Sequence, residues 1–473
     1  MKTSPIKAVF LCTLLSGNAS LRAADAPKPA ATDKPNIIFI LADDLGIGSV
    51  SSYGADHFKT PNVDKLATSG IRFENCYSSP LCGPSRALLM TGRYAFRTGM
   101  IDNDTGPLLK SGNETMMPAV LKKAGYVTAQ VGKWNQLPLQ PSDWGFDEYL
   151  RFQGSGRYWN TQPGKKTYTV NGREVPLLDG EYLPDKMHEF ALDFINHHKN
   201  QPFFLYYAMS HIHAPILPTP DSKPGTQDKN VLYQDNVDYM DKLVGKLLAE
   251  VDRLNLRQKT LIIFTSDNGT GPLFKEFCTI NGGKQLSGCK NTMLECGALV
   301  PMCVSWAGTT PAGKTSQNLI SFCDFLPTLA ELTGAKLPPG VVIDGKPFTP
   351  MFYGQTGGDW LRDWIFVLLR PEQKNTYTQW YDRERFWKLN QSGELFDMKN
   401  APYDEPLVPT NTKDGDALAA RQRLQAVLDQ LNPAAGKVNP GNLKPNQKKN
   451  GGEKKANSNG NNPESENANA PDQ

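Results

Sequence analysis

Asn36-Ile37-Ile38-Phe39-Ile40-Leu41 is apolar after its first residue and leads directly to the carboxylate pair Asp43-Asp44. A short run without polar alternation is the pattern of a strand buried on both faces, as in a parallel sheet covered by helices. Three other short β-rich runs also stop abruptly at a polar cluster. Tyr126-Val127-Thr128-Ala129-Gln130-Val131 ends at Lys133 and Asn135, Pro202-Phe203-Phe204-Leu205-Tyr206-Tyr207 at His211 and His213, and Thr260-Leu261-Ile262-Ile263-Phe264 at Asp267-Asn268-Gly269. Helical stretches separate them at 62–70, 118–125, 185–198 and 233–254. The alternation predicts an α/β fold: a large central, mostly parallel sheet sandwiched by helices, with the polar strand ends gathered along one edge. A single such cluster is ordinary turn chemistry, whereas four on one edge point to a site. This domain is expected over 35–350, followed by a smaller C-terminal α+β subdomain over 351–431.

The flanks read differently. Lys2 and Lys7 bracket the start of an apolar run from Ala8 to Leu15, and small residues lead to Leu21-Arg22-Ala23, the form of a cleavable secretory signal. A signal peptide is expected over 1–23, a linker over 24–34, and a secreted or periplasmic location. No run approaches the roughly 18 apolar residues of a membrane helix, so no membrane span is expected. Residues 432–473 are rich in Asn, Lys, Gly, Pro and Glu and lack the apolar content to order themselves, so a disordered low-complexity tail is expected. The 473 residues exclude a single small module, and 51 basic against 48 acidic residues, a net +3, exclude a polyanion-coating protein, so no nucleic acid partner is expected. Removing Cys12 with the signal leaves 8 − 1 = 7 cysteines, an odd number. Cys278 and Cys289 flank Asn281-Gly282-Gly283, a loop flexible enough to bring them together, and a bridge is expected there.

Asp43, Asp44, Asp267 and Asn268 offer only oxygen ligands. Three carboxylates on one sheet edge repel unless a cation sits among them, and an all-oxygen set selects a hard ion, Ca²⁺ with Mg²⁺ as the alternative, over Zn²⁺. Cys82 opens Cys82-Gly83-Pro84-Ser85-Arg86, with Pro84 read as the first helical position and Gly92 as the exit. A thiol just before free backbone N–H groups has a lowered pKa and lies at an anion site.

Cys82-x-Pro84-Ser85-Arg86 followed by Thr91-Gly92-Arg93 resembles the signature of the type I sulfatases, members of the alkaline phosphatase-like superfamily, whose cysteine is converted to formylglycine before folding. The resemblance continues through Thr60-Pro61-Asn62-Val63-Asp64, Gly132-Lys133-Trp134, His213-Ala214-Pro215, Lys290 with Glu295, and Phe386 to Asp397. It implies an exported hydrolase acting on a sulfate ester, with a sulfated carbohydrate as the substrate expected from family habit. It also implies a formylglycine-generating enzyme or maturase as a partner during biosynthesis. Asp43, Asp44, Asp267, Asn268 and the modified Cys82 become calcium ligands, Arg86 holds the formylglycine hydrate, and Lys133, His213 and Lys290 contact sulfate. One hydroxyl of the hydrate attacks sulfur; the other expels sulfate.

Two positions depart from the family pattern. Asn135 replaces the histidine of Gly-Lys-Trp-His, and an amide is not a base; Leu299 stands where arginine is common. Asn135 leaves open a slow or non-catalytic sulfoglycan-binding homologue, and a metal-dependent phosphatase or phosphodiesterase would need a histidine-rich ligand set that this chain lacks. Strand alternation puts His211 on the same side as His213, where it lines the cleft and contacts substrate, or else has an orienting or buried role. His188, His197 and His198 are expected on a solvated helix face. Arg151 to Trp159 is read as a candidate sugar-stacking loop, with packed surface as the alternative.

Overall fold

The computed structural model describes residues 34–438 apart from 135, 165 and 373–376. The expected signal peptide, nearly all of the linker, Asn135 and the tail from 439 onward lie outside the described residues.

Ten strands form one sheet: β1 (Asn36–Ala42), β2 (Ile71–Tyr77), β3 (Val127–Lys133), β4 (Glu148–Phe152), β5 (Thr167–Val170), β6 (Arg173–Pro176), β7 (Phe203–Ala208), β8 (Thr260–Ser266), β9 (Leu299–Ser305) and β10 (Lys314–Ser321). Their order is β10-β2-β9-β8-β1-β7-β3-β4-β5-β6, and only β9 and β5 run against the rest. The opening stretch lies near the middle, with β1 parallel to both neighbours in the registers Ile37↔Phe204 and Asn36↔Thr260.

Every residue of β1 is buried, and its side chains divide between two cores. Ile37, Phe39 and Leu41 face the layer containing the helices Cys82–Thr91 and Phe325–Thr333. Ile38, Ile40 and Ala42 face the layer of Pro61–Thr68, Leu183–His198 and Lys229–Arg253. Burial of a large apolar side chain contributes about 1.5–3 kcal/mol against about 1–2 kcal/mol for ordering a residue's backbone, so apolar density on both faces selects the central position. The long helix begins at Lys229, earlier than the apolar pattern suggests, because Asp228 caps it by accepting from the backbone N–H of Asn230 at 2.8 Å.

The second sheet is antiparallel: β11 (Ile365–Leu369), β12 (Gln379–Arg383), β13 (Trp387–Asn390) and β14 (Leu395–Asp397), in that order. The helix Gly415–Leu431 packs on β12 and β13. Trp387, Leu389, Leu424 and Leu428 join the same core as Phe39, so the two sheets share one interior. Residues 432–438, expected in the tail, turn back onto the large unit. Pro433 is buried, and the Lys437 amide donates to the Phe96 carbonyl at 2.6 Å.

The seven described cysteines are all buried free thiols, which overturns the expected Cys278–Cys289 bridge. The Cys278 Sγ is turned into the core, 3.3 Å from the Ser49 hydroxyl, while Cys289 sits in the turn closed by Thr292. Among the described residues no helix is long and apolar enough to cross a membrane.

Candidate active site

The carboxyl ends of β1, β3 and β8 meet the start of the helix Cys82–Thr91. Lys133, the last residue of β3, reaches across to donate to both Asp43 oxygens, at 2.8 and 2.6 Å, with its Nζ 3.3 Å from the Cys82 Sγ. Gly132 makes this approach possible: its φ is +104°, and a Cβ there would lie 2.0 Å from the Ala208 carbonyl oxygen of β7. Arg86, one helical turn after Cys82, donates from Nε and Nη2 to Asp267 Oδ2 at 3.0 and 2.8 Å, and from Nη1 to the Lys133 carbonyl at 3.1 Å. The Cys82 Sγ lies 3.6 Å from Asp43 Oδ1 and 3.8 Å from Asp44 Oδ1.

Lys290 and His213 reach the cluster from two loops. Lys290 Nζ donates to Asp44 Oδ2 at 2.9 Å and lies 3.3 Å from His213 Nε2. These two side chains keep some solvent contact, whereas Asp43, Arg86, Lys133 and Asp267 have none. Ligand atoms of Asp43, Asp44, Cys82 and His213 lie within 4.8 Å of one another, a spacing compatible with one ion. Asn268 donates its amide hydrogens to Asp44 Oδ1 at 2.8 Å and to the Gly269 carbonyl at 2.9 Å, which leaves its Oδ1 buried without a partner.

Charge sets the protonation in this cluster. Burial opposes ionisation of Asp43, but Lys133, His213, Arg86 and Lys290 together hold its carboxyl well below the usual range. Asp267 moves up instead, because burial and the neighbouring Asp43 outweigh Arg86 and Lys133. The Cys82 thiol also rises, by burial first and then Asp267, against Lys133 and Lys290. The low thiol pKa expected from the helix start is therefore not found, because burial, followed by the neighbouring Asp267, raises it. Cys82 is itself the first helical residue, with Leu81 as N-cap and Gly92 as the left-handed exit.

Several expectations change here. His211 does not line the cleft. β7 ends at Ala208, so strand alternation does not carry through to it; its ring is fully buried, Nε2 is 3.0 Å from the Tyr182 hydroxyl, and burial lowers its pKa to about 3. His188 is buried rather than solvated, whereas His197 is exposed and His198 meets Glu148 at 2.7 Å. In the segment 151–159 the Tyr158 ring is buried and supports the site from behind, donating to the His213 carbonyl at 2.7 Å. Gly156 lets that loop close, since a Cβ would lie 2.2 Å from the Ala214 carbonyl oxygen. Neither Tyr158 nor Asn103, which accepts from the Gly83 amide at 2.9 Å beside Cys82, is marked by any motif.

A family model described as Sulfatase matches residues 35–335. The chain belongs to the sulfatase family. This sulfatase is 34% identical over 413 residues to the N-acetylgalactosamine-6-sulfatase of Canis lupus familiaris, covering 81% of the chain and 76% of that relative. It is 34% identical over 378 residues to the arylsulfatase G of Mus musculus, covering 68% and 70%. Among solved structures, Ps i-CgsB in complex with k-i-k-neocarrahexaose superposes with a TM-score of 0.73 at 29% identity, covering 87% of this chain and 94% of that one. A second, solved with its substrate D-glucosamine-2-N,6-O-disulfate, has a TM-score of 0.71 at 22% identity, covering 85% and 99%, a likeness of fold. The sulfatase is thus a sulfuric ester hydrolase, and the phosphatase reading falls away.

Proposed function

We propose that this sulfatase is exported and removes sulfate from a carbohydrate, with Cys82 converted to formylglycine by a maturase and Ca²⁺, or Mg²⁺ in its place, held by Asp43, Asp44, Asp267 and Asn268. The observation that carries the reading is the position of Cys82 among these carboxylates and three cationic side chains. The donor set fits a hard cation: Asp43, Asp44 and Asp267 supply carboxylate oxygens, and the buried, unpartnered Asn268 Oδ1 lacks only a positive neighbour. Three carboxylates against Arg86, Lys133 and Lys290 sum to 3 − 3 = 0, so when bound the ion supplies the excess positive charge that a sulfate monoester requires.

The chain's own groups then divide the work. Arg86 and Lys133, both fully buried, orient the group on residue 82 and neutralise charge at its oxygens. Lys290 and His213, on the solvent side, are placed to contact the ester and to give the leaving oxygen a proton. The Nδ1 of His213 lies 2.6 Å from the Ala214 carbonyl, a partner for an N–H that fixes the ring and leaves Nε2 toward the cluster. Formylglycine, once hydrated by water, would supply two hydroxyls on one carbon, one to attack sulfur as the alcohol leaves and one to expel sulfate as the aldehyde re-forms. Asn135 offers no base for that release, and the His211 Nε2 is engaged by the Tyr182 hydroxyl. The carbohydrate is supported by the relatives named for an amino sugar sulfate and solved with a neocarrahexaose.

The test is peptide mass spectrometry of residue 82 in protein made with a maturase, together with desulfation of a panel of sulfated mono- and oligosaccharides. Formylglycine at Cys82 with sulfate release is expected; turnover by protein whose Cys82 is unmodified overturns the mechanism.

A further inference from the structure

The loop that carries Lys290 has little regular structure, yet it delivers an ammonium to Asp44 within 2.9 Å. Its anchor lies against the second sheet, in the loop that follows β14. Glu405 reaches it at two points, accepting from the Ser287 hydroxyl at 2.7 Å and from the Glu295 backbone N–H at 2.5 Å through the same oxygen. Its other oxygen forms an ion pair with Lys388 of β13, both side chains being almost fully buried. Lys388 Nζ also faces the Met293 carbonyl at 3.4 Å. The backbone closes the same loop, because the Cys296 N–H donates to the Ser287 carbonyl at 2.7 Å and the Ser287 N–H to the Pro402 carbonyl at 2.8 Å.

We infer that the Lys388–Glu405 pair is a positioning clasp through which the C-terminal subdomain sets Lys290 against the cleft, so that it tunes ester turnover without touching substrate. This rests on the sulfate-ester reading of the site. The chemistry favours a clasp over simple packing. A buried ion pair is a poor source of net stability, but removing one partner strands the other and releases what it holds. Here Glu405 holds both ends of the segment 287–295, with Lys290 between them.

A double-mutant cycle decides it, with Lys388→Met, Lys290→Ala and the pair of substitutions assayed on 4-nitrophenyl sulfate, per mole of formylglycine-bearing folded protein. Acting through Lys290, Lys388→Met lowers kcat/KM by about 10-fold in the parent and less than about 2-fold once Lys290 is gone. Lys388→Arg, which keeps the charge, restores more than half of the loss. Hydrogen exchange of amides 287–296 in the full chain gives a readout independent of activity and rises in Lys388→Met. Equal losses in both backgrounds, or unchanged exchange across 287–296, overturn the clasp. If the parent protein hydrolyses no sulfate ester, the reading of the site fails, while the exchange measurement still decides whether Lys388 holds the loop.

Discussion

Two groups of buried charges sit on either side of the Lys290 loop, and they are built for different ends. At the edge of the large sheet, Asp43, Asp44 and Asp267 share Arg86, Lys133 and Lys290 across many contacts, and one carboxamide oxygen is left over. Against the small sheet each charge has one direct ion-pair partner: Lys388 with Glu405, and Arg383 with Glu295 at 2.9 Å, the latter carboxylate also accepting from the Tyr77 hydroxyl at 2.6 Å. A shared set accepts a guest, because adding a charge redistributes contacts. A matched set holds shape, because each charge has its own counter-charge to lose.

The contrast can be broken most readily at Cys82. Cys82→Ser leaves the surrounding charges intact but provides one hydroxyl instead of two, so turnover is expected to fall at least about 10³-fold with little change in Tm. Retention of a tenth of the parent kcat would remove Cys82 from the chemistry. The matched set should behave in the opposite way. Glu295→Ala strands the buried Arg383 and is expected to cost about 3–4 kcal/mol in urea unfolding, whatever the substrate. A loss under about 1 kcal/mol would show that the pair is not the structural one.

Metal removal tests the shared set more gently. After dialysis against a chelator, Ca²⁺ or Mg²⁺ at about 100 times its Kd should restore activity and add about 2.7 kcal/mol of stability, and Asp267→Asn should abolish the shift. Rescue by Zn²⁺ alone contradicts an all-oxygen site.

A change of slope with pH, not a single loss, is expected at Asp382 of β12, whose carboxyl oxygens are buried and make no hydrogen bond among the described residues. Burial, aided by Glu384, pushes its pKa up to about 8. The unfolded carboxyl titrates near 4, so unfolding releases a proton between those values; the contribution is full below pH 4 and lost as pH rises through 8. Asp382→Asn should therefore flatten the decline of Tm between pH 5 and 8, and an equal decline in both proteins would contradict it.

Sequence carried the large sheet's central strands because β1, β7 and β8 are apolar on both faces, a pattern that needs no partner to be recognised, while β3, which holds Thr128 and Gln130, was marked by its polar end. It also carried Asp43, Asp44, Lys133 and Asp267, which follow those strands directly. It did not carry β9, which runs antiparallel between β8 and β2, since strand direction leaves no mark on composition. His211 was misplaced because alternation holds only while the strand continues. Glu405 escaped notice, and Tyr158 was read as part of a sugar-stacking loop and not as a support for His213, because each acts on a loop distant in sequence and only tertiary contact joins them.

The position of β1 has a consequence in time. Its hydrogen-bonded neighbours, β7 and β8, end at residues 208 and 266, so the strand waits at an open edge until the ribosome has added 266 − 82 = 184 residues beyond Cys82. At about 5–20 residues per second this interval is roughly 9–37 s, during which Cys82 lies on an unfinished chain instead of being sealed beneath Lys133. Under the proposed conversion of Cys82, the modifying enzyme is therefore in competition with translation and sheet closure, and a faster ribosome shortens its opportunity.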